Sequence, residues 1–193
     1  AGLLSSTTPA VSVEIANTGP VGQASYDATL KVPACSTAAP LCDSGTLLEG
    51  RGPVGPELNA PDTLGGTCFD GTYGTLYSDE SLESVRIETQ DGSPLATGRV
   101  AVITVGVYAW GTSDYLDIYH APDVNSPVWS KLTTIQAPAR GLQTMSTTLT
   151  LPAGARQVIR ASFRYGGTSP VCPTGGYDDK DDLVFTGPDG GLY

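Results

Sequence analysis

The chain is nearly without histidine: His120 stands alone among 193 residues. A Ser-His-Asp triad would have to use that one imidazole. It lies beside Ala121-Pro122 and reads as a turn or surface residue at a strand end. Neither a Gly-x-Ser-x-Gly elbow nor a His-Glu-x-x-His helix occurs. Basic residues are scarce too, 10 against 20 acidic ones, for a formal net charge of -10. Phosphate backbones and anionic bilayers both require clustered Lys and Arg, so neither nucleic acid nor a charged membrane surface is an expected partner. No apolar run approaches the roughly 20 residues of a membrane span, and no membrane insertion is expected. No Cys-x-x-Cys pair exists and no Cys neighbours His120, which argues against zinc. Gly and Pro interrupt nearly every stretch that might be helical. No leader pattern is visible, so a secreted form is expected to be the mature chain.

What is abundant is Gly (24) and Pro (15), together with Ser and Thr. That is the composition of short strands joined by tight turns. We expect an all-β fold, a β-sandwich over residues 35–193, preceded by an arm or linker over 1–34 with a possible strand pair. Ala1 to Pro9 is small and polar and reads as a frayed arm. Val11–Ile15 alternates as a short strand, and Tyr26 to Val32 can return as a second. Leu82 to Thr89 alternates, with Leu82, Ser84, Arg86 and Glu88 on one side. Arg99 to Trp110 is rich in Val and Ile and reads as a central strand buried on both faces, with Gly106 marking a bulge or close packing. In Tyr115–Tyr119, Leu116 and Ile118 should face the core while Tyr115, Asp117 and Tyr119 face out. In Gln157–Tyr165, Ile159, Ala161 and Phe163 point in, and Arg156, Arg160 and Arg164 point out. Asp182 to Thr186 is the last strand.

Cys35, Cys42, Cys68 and Cys172 make an even count in a Gly/Thr-rich chain, which points to disulfides and an oxidising, extracellular compartment. Three pairings are possible. We favour Cys35–Cys42, a short loop holding Pro40, and Cys68–Cys172, a bridge from the first half to the final strand. Four buried free thiols are the alternative.

The densest chemistry lies in Gly176-Tyr177-Asp178-Asp179-Lys180-Asp181-Asp182-Leu183-Val184-Phe185, where four carboxylates fall within five residues and run into an apolar strand. Such a cluster repels itself unless a cation sits in it, and hard oxygen ligands suit Ca²⁺, which takes six to eight of them. The EF-hand pattern is absent. A second acidic turn, Ser78-Asp79-Glu80-Ser81, can complete a site. Asp79, Glu80, Asp181 and Asp182 are the first candidate ligands, with Asp43 and Asp178 next. In a strand Asp181 and Asp182 point to opposite faces, so one of the two coordinates by side chain. The alternative is a solvated acidic turn without a ligand.

Arg156, Arg160 and Arg164 share one strand face. They can pair with Asp117, Glu83 or Glu88 on neighbouring strands. They can also line a groove in which Tyr115, Asp117, Tyr119, Trp129 and Arg160 contact a ligand, the rings packing on sugar faces and the charged groups binding hydroxyls. Two carboxylates could serve glycoside hydrolysis, but no aromatic-lined cleft around them is evident.

Several segments together resemble the non-catalytic C-terminal domains of secreted bacterial peptidases, especially metallopeptidases. They are Cys42-Asp43-Ser44-Gly45-Thr46-Leu47-Leu48-Glu49-Gly50-Arg51-Gly52, Ser78-Asp79-Glu80-Ser81-Leu82, Asp114-Tyr115-Leu116-Asp117-Ile118-Tyr119, Leu151-Pro152-Ala153-Gly154, Phe163-Arg164-Tyr165 and Asp178-Asp179-Lys180-Asp181-Asp182-Leu183. The resemblance spans roughly residues 35–186. It implies a jelly-roll-like antiparallel β-sandwich, secretion and an accessory role beside a peptidase. The expected function is an extracellular, non-catalytic binding module for carbohydrate or protein, stabilised by structural calcium. The alternative is a structural or folding-assistance domain of a secreted hydrolase with no ligand of its own.

Overall fold

The computed structural model describes residues 22–188. The expected strand at 11–15 and the arm before it lie outside the described residues. Among the described residues ten strands form two sheets: β1 (Ser25–Asp27), β2 (Val32–Ala34), β3 (Leu41–Asp43), β4 (Ser81–Thr89), β5 (Val100–Ala109), β6 (Asp114–Ala121), β7 (Ser130–Gln136), β8 (Gly141–Thr150), β9 (Arg156–Tyr165) and β10 (Asp179–Thr186). A six-stranded sheet has the order β1-β2-β10-β9-β6-β7, and a four-stranded sheet the order β3-β4-β5-β8. Neighbours are antiparallel except β2 and β10, which run parallel and meet at Ala34 and Val184. The fold is an all-β sandwich, as its turn-rich composition requires. Residues 22–34 supply β1 and β2 and so belong to the larger sheet.

Period-2 alternation builds the core. Val85 and Ile87 of β4 and Ile103, Val105 and Val107 of β5 meet Leu116, Ile118, Ile159, Ala161, Phe163, Leu183 and Phe185 from the other sheet. All are fully buried. Each large aliphatic or aromatic side chain among them contributes about 1.5–3 kcal/mol. Both disulfides take the favoured pairing, Cys35–Cys42 and Cys68–Cys172, closing separations of 7 and 104 residues. In the chain-entropy account these loops are worth about 2 and about 4–5 kcal/mol.

Three expectations about faces need correction. The first concerns β5, which buries one face only: Ala101, Ile103, Val105, Val107 and Ala109 are inside, while Val102, Thr104 and Tyr108 are half-exposed. An antiparallel sheet with one solvated face permits that, however apolar the run. In β4, Leu82 is fully buried with Val85 and Ile87 rather than aligned with Ser84 and Arg86. The register shifts between Leu82 and Ser84, and the extra residue of this bulge turns Leu82 back inward. Gly106 lies opposite, where an added Cβ would stand 2.7 Å from Ser84 Oγ, so close packing explains the glycine.

The third correction is to the outer face of β6 and β9, which does not meet solvent. Asp117, Tyr119, Arg160 and Arg164 are all buried. Chain from the segment after β9 covers them: Tyr119 donates its hydroxyl to the Ser169 carbonyl at 2.6 Å, and Arg164 donates to the carbonyls of Gly166 and Gly167.

One edge of β10 is paired along its length by β9. The other edge of its first half has loop, not strand, against it. The Asp182 N–H donates to the Asp62 carbonyl at 2.9 Å, and the Gly71 N–H donates to the Asp178 carbonyl at 2.7 Å. The Lys180 N–H donates to Asp70 Oδ1 at 3.1 Å. The Cys68–Cys172 bridge pins this loop beside the start of β10. The arrangement brings loop carboxylates to strand carboxylates.

Candidate metal centre

Alternation along β10 puts Asp179 and Asp181 on the same side as Leu183 and Phe185, facing the space between the sheets. One oxygen from each of Glu57, Asp179 and Asp181 lies within 4.8 Å of the others, and all three residues are buried. Asp62 and Asp70 adjoin Glu57 from the same loop. The chain thus packs four buried carboxylates, with the half-buried Asp70 beside them, into one site.

Few of their oxygens are satisfied. Glu57 accepts from the Gly52 N–H, Asp70 from the Lys180 N–H, and Asp179 Oδ2 from the Leu82 N–H at 2.5 Å. Seven carboxylate oxygens receive no N–H or hydroxyl donor: Glu57 Oε1, Asp70 Oδ2, Asp179 Oδ1 and both oxygens of Asp62 and of Asp181. Several of these carboxyl groups meet one another instead: Glu57 with Asp62 and Asp70, and Asp70 with Asp179. A buried acceptor left unpaired costs about 1–3 kcal/mol, and more when charged. Burial, then neighbouring carboxylates, pushes Glu57 and Asp70 up to about 7. Burial likewise lifts Asp62 to about 6 and drives Asp179 and Asp181 well above the usual carboxylate range.

Two buried cations stand close by. Lys180 donates its ammonium to the Asp178 carbonyl at 3.3 Å, and Arg51 donates its guanidinium to the carbonyls of Tyr73 and Tyr177. Two positive charges cannot balance five ionised carboxylates, so without a further cation the site must hold protons, in line with the raised pKa values. A divalent ion would take the place of those protons. The donor set is all oxygen and contains no nitrogen or sulfur, which selects a hard cation. One oxygen each from Glu57, Asp179 and Asp181 is within reach of a single ion, and an oxygen-only set suits Ca²⁺ with its adaptable geometry. Mg²⁺ keeps several waters and demands a smaller octahedron, which fits a carboxylate cage poorly. Glu57, Asp179 and Asp181 are the residues that could hold a hard cation, with Asp62 and Asp70 beside Glu57.

Of the six residues singled out from sequence, only Asp181 lies in this group. Asp182 points to the opposite face, where Arg160 Nε and Nη2 hold its two oxygens at 2.7 and 2.8 Å. Asp178 accepts from the Gly175 N–H at 2.9 Å and closes the turn before β10. Asp79 accepts from the Thr75 N–H at 2.7 Å. Glu80 adjoins Asp114; burial and that carboxylate push it up to about 8. Asp43 accepts from the Gly45 N–H at 2.8 Å and lies 3.6 Å from the Arg86 guanidinium, near the surface.

The five proposed ligand contacts engage one another or the chain instead. Arg164 Nε bonds Asp117 Oδ2 at 2.6 Å and its guanidinium lies 5.0 Å from the Tyr115 ring. Arg160 lies 4.5 Å from the Trp129 ring while it holds Asp182. Tyr119 is tied to Ser169. Pairing of the arginines with neighbouring strands is thus what the structure shows. His120 is buried against Gln157, its Nε2 2.7 Å from Oε1, and burial lowers its pKa.

Glu57, Asp62, Asp70 and Asp179 escaped the sequence reading. Two signals pointed to part of this set. Asp179 is two residues from Asp181 and so shares its face. Asp70 follows Cys68 by two residues, so the Cys68–Cys172 bridge already carried it toward the acidic run. No family model matches the chain, and no curated protein matches it.

Proposed function

We propose that this protein is an extracellular, non-catalytic binding or accessory module whose sandwich is clamped by one buried calcium ion. Asp181 carries the reading: its carboxylate is fully buried, faces Glu57 and Asp179, and has no partner on either oxygen. A cation at that point would join β10 to the 57–70 loop, the place where β10 has no neighbouring strand. The role is structural, because Glu57, Asp179 and Asp181 are buried between the sheets and the loop. Two disulfides fit an oxidising, extracellular environment. No helix among the described residues is long and apolar enough to cross a membrane. Association with a secreted peptidase rests on the sequence resemblance, and carbohydrate or an extracellular protein is the ligand class it suggests.

Thermal unfolding in CaCl₂ and in EDTA tests the calcium clamp. Selective binding to the folded state at a hundredfold excess over Kd adds about 2.7 kcal/mol. The expected result is a midpoint several degrees higher in calcium, with a smaller rise in magnesium. Coincident unfolding curves in calcium and EDTA would overturn the reading.

A further inference from the structure

A second feature lies at the same end of the sandwich and faces solvent. The end of β5, the end of β9, the turn before β10 and the turn before β4 deliver Trp110, Tyr165, Tyr177, Asp79 and Glu80 to one open cavity of about 240 Å³. The three rings are 47%, 51% and 37% exposed. Trp110 and Tyr165 have centroids 6.2 Å apart at an interplanar angle of 90°, and Tyr165 and Tyr177 have centroids 6.2 Å apart at 69°. Tyr73 braces Tyr177 from behind, edge-on at 5.9 Å.

Ring orientation discriminates between ligand classes. A sugar stacks on a ring lying flat beneath it, whereas nearly perpendicular rings form the walls of a corner. Such walls turn several π faces toward one point, which suits a compact cation. The charges agree. Neither Asp79 nor Glu80 makes an ion pair among the described residues. Glu80 is 3% exposed; burial, together with a proton shared with the adjoining Asp114, pushes it up to about 8, so the counter-charge in the cavity falls to Asp79.

We infer that this cavity is a binding site for a substituted ammonium group, held between Trp110, Tyr165 and Tyr177 with Asp79 supplying the counter-charge. This deepens the proposed binding role by naming the chemistry of the ligand. A lysine side chain on an extracellular protein and a free choline-like molecule present the same group. The site is separate from the calcium cage: none of its five residues belongs to the oxygen set around Asp181.

The test follows the Trp110 indole N–H by NMR on the calcium-loaded chain. The probes are choline, its uncharged isostere 3,3-dimethylbutan-1-ol, Nα-acetyl-lysine methylamide and a panel of neutral mono- and disaccharides. The expected result is saturable movement of Trp110 by an ammonium probe at least tenfold tighter than by the isostere. Trp110→Ala (followed by the Tyr165 and Tyr177 ring signals) and Asp79→Asn should each weaken that binding about tenfold. Tighter binding of choline than of the lysine amide assigns the source to small molecules, and the reverse assigns it to proteins; both support the site. Equal binding of the isostere, movement by sugars alone, or no movement by any probe overturns it. The calcium shift in melting temperature, measured on the same samples, reports on the clamp independently, so loss of one reading is distinguishable from loss of the other.

Discussion

The two faces of β10 carry the same residue type in opposite electrostatic settings. On the outer face Asp182 receives two nitrogens of Arg160, and two strands away Asp117 receives Arg164. Those pairs are buried, but each carboxylate meets a guanidinium from an adjacent strand. On the inner face Asp179 and Asp181 meet Glu57, Asp62 and Asp70. There carboxyl faces carboxyl, and seven oxygens receive no N–H or hydroxyl donor. The outer face is complete as the chain folds. Under the calcium clamp proposed above, an added cation completes the inner face.

The largest effect should come from damage to the complete face. Replacing Arg160 with Met leaves Asp182 buried and unmatched, and we expect a loss of about 3–5 kcal/mol by denaturant unfolding, alike in calcium and EDTA. Asp181→Asn should behave oppositely. It removes charge from a repelling cluster, so in EDTA the variant should melt at or above the wild-type temperature. In saturating calcium it should lose most of an increment on the order of 2–3 kcal/mol. If Asp181→Asn destabilised the chain equally in both conditions, the contrast between the faces would fail.

Proton linkage sharpens the comparison. The inner carboxyls have folded pKa values above their unfolded values, Asp62 at about 6 and Glu57 and Asp70 at about 7. The stability they contribute is fully present below an unfolded pKa of about 4 and is lost as pH rises through the folded values. In EDTA the chain should therefore be more stable at pH 5 than at pH 8. His120, lowered by burial, works the other way below its unfolded pKa, but it is one group against five. Excess calcium should flatten or reverse this slope, because the ion and the protons compete for the same oxygens. Paired melts at the two pH values, with and without calcium, check the sign.

The smallest effect should be at Asp43. Its pair with Arg86 is partly exposed and 3.6 Å long. Asp43→Asn should change stability by no more than about 0.5 kcal/mol and leave calcium binding intact, as denaturant unfolding and a calcium titration would show.

The strands were readable because alternation in Leu116, Ile118, Ile159, Ala161 and Phe163 has one physical cause, a single buried face. The acidic run at 178–182 stood out for its density, and the split of Asp181 from Asp182 followed from period 2. Glu57 and Asp62 were not readable. They sit in a Gly/Pro-rich loop with no periodicity, more than a hundred residues before β10, and tertiary packing alone brings them there. The burial of Asp117 and Tyr119 was hidden for a related reason: the cover is an irregular segment around 166–171, which leaves no pattern in β6 itself.

Calcium should be counted on the metal-free chain by titration calorimetry, beside Asp181→Asn and Asp43→Asn. The expected result is one ion per chain with a dissociation constant below about 1 mM, loss of that binding in Asp181→Asn, and its retention in Asp43→Asn. A wild-type chain that binds no calcium, or an Asp181→Asn chain that binds it as the wild type does, would contradict the account.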